Sequence, residues 1–130
     1  MNSYKNLIVW QKAMDLACQA YRAAALLPKI ETYGLADQMR RAAISIPSNI
    51  AEGYGRESTA EYTRFLYIAR GSVCEMETQL ELCLQLGYLT CDQTKAAQNL
   101  CAEVGKLLNA ILKRIRNNSV KNSTAPVSTP

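Results

Sequence analysis

Residues 40–56, RRAAISIPSNIAEGYGR, decide how this chain folds. Ala42, Ile46 and Ile50 continue a series that starts at Leu35 and Met39, stepping by four or three residues as one face of a helix requires. The series runs past Pro47, so the helix resumes on the same apolar face. Proline lacks a backbone donor and crowds the preceding turn, which predicts a kink or a broken turn at Pro47. Asp37, Arg41, Ser45, Asn49, Glu52 and Arg56 step along the other side as a polar stripe, facing either water or a contact with a ligand or another subunit. Asp37 with Arg41 and Glu52 with Arg56 stand acid-first at i,i+4, each worth about 0.2–0.5 kcal/mol when exposed. Gly53 and Gly55 are expected to end the helix. The run GYGR follows a helix and not a strand, so it is not read as a phosphate-cradling loop.

The flanking sequence gives three more helices. Before the central stretch, Trp10, Met14, Ala17, Tyr21 and Ala24 form an apolar seam, widened by Ala13, Leu16 and Ala20, on a helix expected from Leu7 to about Leu26. Pro28 stops it, and the short connection to Gly34 implies an antiparallel neighbour. After the central stretch, Ser58 and Glu61 form a capping box, and Tyr62, Leu66, Ala69, Val73, Met76, Leu80 and Cys83 carry a third helix to Gly87. Gly71 lies inside it, where glycine costs about 1 kcal/mol relative to alanine, so another helix is expected to approach closely there. Thr90 and Gln93 form a second capping box, opening a fourth helix with Ala97, Leu100, Val104, Leu107, Leu108, Ile111 and Ile115 on its apolar face. A bundle domain is therefore expected over residues 1–116 and a disordered polar tail over 117–130.

Composition fits this all-α reading. The 130 residues suit one domain with one core, and they are 48% hydrophobic but only 7% aromatic, which favours tightly packed helices over strands. No apolar run approaches a membrane span and no secretory pattern opens the chain, so the cytoplasm is the expected location. The five cysteines, Cys18, Cys74, Cys83, Cys91 and Cys101, are odd in number and unpaired in spacing, and read as small buried apolar residues. Histidine is absent, which removes histidine-dependent nucleophile activation, His-ligated zinc and imidazole proton shuttling. The acids lie on helix faces beside arginines, not as a pair in one cleft. No catalytic residue, cofactor or metal is expected.

The net charge of +4 is unevenly spread. Lys106, Lys113, Arg114, Arg116 and Lys121 follow one another with no acid between them, whereas Glu75, Glu77 and Glu81 form an acidic run. The basic end suits phosphate, and it equally suits the negative end of a helix dipole. The candidate nucleic-acid contacts are Arg40, Arg41, Arg56, Arg64, Arg70, Lys106, Lys113, Arg114 and Arg116, with Tyr54, Tyr62 and Tyr67 near the arginines.

Three segments, LIVWQKAMDLA, GLADQMRRAAISIPSNIAEGYGR and FLYIARGSVCEMETQLELCLQLGYL, resemble in order and spacing a bacterial family encoded within intervening sequences of 23S ribosomal RNA genes. That family is related to the accessory variability proteins of diversity-generating retroelements. The resemblance covers roughly residues 7–116 and implies an up-down-up-down antiparallel four-helix bundle assembled into a ring-shaped homopentamer. The matching positions are Trp10, Gln11, Lys12, Arg40, Arg41, Asn49, Glu52, Gly53, Arg56, Gly71, Glu75 and Glu77, to which the resemblance assigns no catalytic role. The retroelement relatives partner a reverse transcriptase and its RNA template through a basic surface. The quoted words fit the ribosomal-insertion branch better. The expected function is a non-catalytic oligomeric adaptor for structured RNA or an RNA–protein complex. The alternative is a protein–protein scaffold with no nucleic-acid role.

Overall fold

The computed structural model describes residues 3–124, in which four α-helices and two short 3-10 turns are present and no strand is found among the described residues. The helices are α1 (Ile8–Ala25), α2 (Leu35–Tyr54), α3 (Thr59–Gln85) and α4 (Cys91–Thr124). Each packs mainly on two others: α1 on α2 and α4, α3 on α2 and α4. The core runs down the middle of this four-helix bundle. No helix among the described residues is long and apolar enough to cross a membrane.

Local chemistry sets the helix ends. The hydroxyl of Ser58 accepts from the Glu61 N–H, but the Glu61 carboxylate turns to Arg64, so only half of the expected capping box forms. Both halves form at α4, where the Thr90 N–H donates to Gln93 Oε1 and the Gln93 N–H donates to Thr90 Oγ1. Gly87, at φ 75°, lets the chain leave α3 while the Tyr88 N–H donates back to the Cys83 carbonyl. α2 has a cap that the sequence did not announce. Glu31, in the preceding 3-10 turn, accepts the Leu35 N–H at 3.0 Å and the Tyr88 hydroxyl at 2.9 Å, tying the α1–α2 connection to the segment after α3.

These bonds hold the Glu31 carboxyl below its ordinary range, through the Leu35 N–H first and Tyr88 second. Hydrogen bonding from Arg41 does the same to Asp37, and from Arg64 to Glu61. For a carboxyl lowered in the folded state, the unfolded chain takes up protons first as the solution is acidified. Its contribution is full above the ordinary carboxylate range and is lost as pH falls through the lowered value. Urea midpoints are therefore expected to fall from about pH 5 towards pH 3, and Glu31→Gln should flatten that fall.

Packing corrects the reading of α1. Its buried face is Val9, Ala13, Leu16, Ala20, Ala23 and Ala24, whereas Met14 and Tyr21 are 40% and 41% exposed. A row of alanines lets the neighbouring helices come close, and the larger side chains sit one step round the helix. On α2, Met39, Ala42, Ile46 and Ile50 are buried as expected. The helix runs unbroken through Pro47, which is itself buried, so the predicted broken turn is not formed. One lost backbone bond is tolerated inside a packed helix. Gly53 is buried against α3, where an added Cβ would stand 2.6 Å from the Cβ of Phe65.

Two further expectations change. α4 continues to Thr124, past the expected end at Arg116, so residues 117–124 are helical; 125–130 lie outside the described residues. The cysteines divide: Cys83 and Cys101 are buried, while Cys18, Cys74 and Cys91 are exposed and so do not serve as core residues. Burial pushes the Cys101 thiol up to about 12 and raises that of Cys83. A thiol reagent is expected to label Cys18, Cys74 and Cys91 in the native protein and the other two only on unfolding, as peptide mapping by mass would read.

Candidate nucleic-acid interface

The structure separates the candidate cations into compensated and uncompensated groups. Arg41 Nε donates to Asp37 at 2.9 Å, Arg56 pairs with Glu52 at 3.3 Å and Arg64 with Glu61 at 3.2 Å. Arg56 and Arg64 also lie over the Phe65 ring. Arg40 donates to the Thr32 carbonyl at 3.0 Å and stands 3.9 Å from Asp37. Arg41, Arg56 and Arg64 thus each have a carboxylate of a neighbouring turn and Arg40 shares Asp37 with Arg41, so the four arginines face three carboxylates and offer phosphate a reduced net charge.

Lys106, Lys113, Arg114 and Arg116 are exposed on α4 and have no ion pair among the described residues. Lys106, Asn109, Lys113 and Arg116 step by three and four, which puts them on one line along the helix, spanning about 15 Å at 1.5 Å per residue. Arg114 is rotated about 100° from Lys113, off that line. α3 adds Arg70, whose Nη1 donates to Asn109 Oδ1 at 3.1 Å and whose guanidinium lies 4.7 Å from the Tyr67 ring centre. Arg70, Lys106 and Asn109 line one groove between α3 and α4, and Tyr67 and Arg116 line the next with Thr59 and Thr63. The Tyr67–Arg70 pair joins the two. Glu77 stands in the first groove as its acidic limit.

This line of cations, with the Asn109 amide, can hold several oxygens of a polyanion, and half-exposed Tyr67 offers an aromatic surface beside them. Asn109, Thr59 and Thr63 were missed in the sequence, although the spacing of Asn109 with Lys106 and Lys113 was readable. Among the described residues no cluster is placed to hold a metal ion.

The remaining motif residues are mostly structural. Trp10 meets Tyr4 edge-on, with ring centres 5.3 Å apart, and Gln11 Nε2 donates to the Lys5 carbonyl. Lys12 pairs with Glu103 at 3.2 Å, linking α1 to α4. Asn49 donates to the Ser45 carbonyl and hydroxyl, and Ser45 shares a 2.8 Å hydrogen bond with Ser72 across α2 and α3. Part of the polar stripe on α2 therefore faces α3. Glu75 and Glu77 are exposed, with no salt-bridge partner among the described residues. Gly71 is exposed and an added Cβ would meet nothing within 4 Å, so the close helix approach expected there is not made within the chain.

Comparison with known proteins agrees with this architecture. A family model described as 23S rRNA-intervening sequence protein matches residues 5–110. The chain is also similar to a crystal structure from Bacteroides thetaiotaomicron, a protein of unknown function from the S23 ribosomal protein family. The two are 29% identical with a TM-score of 0.76, over 82% of this chain and 99% of that one. No curated protein matches.

Proposed function

Because this chain belongs to the 23S rRNA-intervening sequence protein family, we propose that it is a non-catalytic adaptor that binds structured RNA through the α3–α4 face. One observation carries the reading: Lys106, Lys113 and Arg116 share a line and have no ion-pair partner among the described residues, beside Arg70 and Tyr67, whereas Arg41, Arg56 and Arg64 are each paired with a carboxylate. In the same proposal the bundle runs up-down-up-down and the copies form a cytoplasmic homopentameric ring. Repeating the face around a ring multiplies phosphate contacts without adding new ones per copy.

The test is binding of nuclease-treated protein to a structured RNA and to a length-matched duplex DNA across a salt series. Preference for the RNA, with affinity falling steeply as salt rises, supports the reading. Weak binding at every salt concentration rejects it and favours a protein scaffold using the exposed acids Glu75, Glu77 and Glu81.

A further inference from the structure

Among the described residues three arginines lie over aromatic rings, and one of them differs from the other two. Arg56 and Arg64, over Phe65, give donors of their forks to Glu52 and Glu61. Arg70, over Tyr67, gives one N–H to a neutral group, Asn109 Oδ1. It has no ion pair among the described residues, and Glu77, the acid lining the same groove, forms none with it. Arg70 is therefore held from two sides with its charge intact. The Tyr67 ring supports the guanidinium at 4.7 Å and the amide anchors one of its corners at 3.1 Å. A planar fork steadied before its ligand arrives loses less freedom on binding.

The same contact decides what the site can accept. Arginine carries donors and no acceptor, so the Asn109 amide must turn its oxygen to Arg70 and its NH2 away from it. Asn109 then presents N–H donors, Arg70 keeps those of Nε and Nη2, and Lys106 in the same groove adds an ammonium. Among the bases, guanine alone sets two neighbouring acceptors, N7 and O6, on its Hoogsteen edge. Adenine and cytosine place an amino donor there, which would leave donors facing donors. The deep, narrow major groove of an RNA helix hides this edge from side chains, so a guanine read in this way is unpaired.

We propose that Arg70, held by Tyr67 and Asn109, reads an unpaired guanine of the bound RNA through N7 and O6, while Lys106, Lys113 and Arg116 hold phosphates. This rests on the RNA-binding reading of the α3–α4 face and adds base specificity to it. Phosphate contacts position a nucleic acid without reading its sequence, so Arg70 is the specificity-determining residue of the face.

The probes are hairpin RNAs that share one stem and an adenine loop carrying a single guanine, placed at each loop position in turn, titrated against the full chain. The best guanine loop should bind about 5- to 100-fold tighter than the all-adenine loop, the range for one bidentate base contact. Inosine at that position lacks only the amino group, which lies off the Hoogsteen edge, and should bind as guanine does. 7-Deazaguanine lacks N7 and should fall towards adenine. Arg70→Lys keeps the charge but loses the planar fork, so the guanine-to-adenine ratio should drop to about one, with the salt slope shifting by less than about one. Asn109→Leu releases the guanidinium and should lower the ratio without touching any charge. Full binding of 7-deazaguanine, loss of binding with inosine, or an Arg70→Lys protein that keeps the preference would each overturn the assignment. Salt-dependent binding of all hairpins with no base preference overturns it alone and leaves the RNA reading standing. Failure to bind any hairpin sinks both.

Discussion

Gly53→Ala is expected to lower the unfolding free energy by about 1–3 kcal/mol, the usual cost of forcing extra atoms into a packed core. In an unhindered helix the same exchange would gain up to about 1 kcal/mol. The sign reverses here because an alanine methyl at this position would stand 2.6 Å from the Cβ of Phe65 and 3.1 Å from Cδ1 of Tyr62. A Cβ is fixed to its backbone and has no rotamer to escape into, so α2 and α3 must move apart. That movement would also disturb the ring on which Arg56 and Arg64 rest. Gly105→Ala is the control, since an added Cβ there meets nothing within 4 Å and the helix-propensity gain should appear. Urea titration reads both signs. A gain at Gly53 as well as at Gly105 would contradict the close α2–α3 packing.

The helices were legible because their signals are local. The Thr90–Gln93 box and the Met39–Ala42–Ile46–Ile50 series depend only on spacing, and both stand as read. What failed depends on tertiary context. The α1 seam was drawn through Trp10, Met14, Ala17, Tyr21 and Ala24 and widened by Ala13, Leu16 and Ala20. Ala13, Leu16, Ala20 and Ala24 are buried and Trp10 and Ala17 pack on the core, while close packing of the alanine face leaves Met14 and Tyr21 exposed. Of the kink or broken turn expected at Pro47, the broken turn weighed one lost backbone bond without the burial that offsets it. The end of α4 was set by polarity, but the helix runs on through the polar residues 117–124. The Glu31 cap on Leu35 is local, but the Tyr88 hydroxyl that holds it lies 57 residues away, which no window reveals. For the interface, charge was visible and compensation only in part. Asp37 with Arg41 and Glu52 with Arg56 were readable as pairs, whereas the Arg70–Asn109 bond across α3 and α4 required the fold.

Reversing Lys106, Lys113 and Arg116 to glutamate together is expected to weaken RNA binding by about 100-fold at low salt, taking roughly 1 kcal/mol for each lost cation–phosphate contact at the surface. The slope of log affinity against log salt should shrink by about three, one for each lost contact. All three side chains are exposed and unpaired among the described residues, so the bundle should keep its thermal midpoint. Reversing Arg41, Arg56 and Arg64 removes the same formal charge from positions already neutralised by Asp37, Glu52 and Glu61. That set should leave the slope within about one unit of wild type. Equal losses from both sets would mean that net charge alone, and not the α3–α4 face, governs binding.

Lysine acylation with and without bound structured RNA, read by mass spectrometry, locates the contact most directly. Lys106 and Lys113 are predicted to be protected, while Lys29, exposed in the connection between α1 and α2, reacts at an unchanged rate. Protection of Lys29 with Lys106 and Lys113 left reactive would contradict the assignment of the α3–α4 face as the RNA-binding surface.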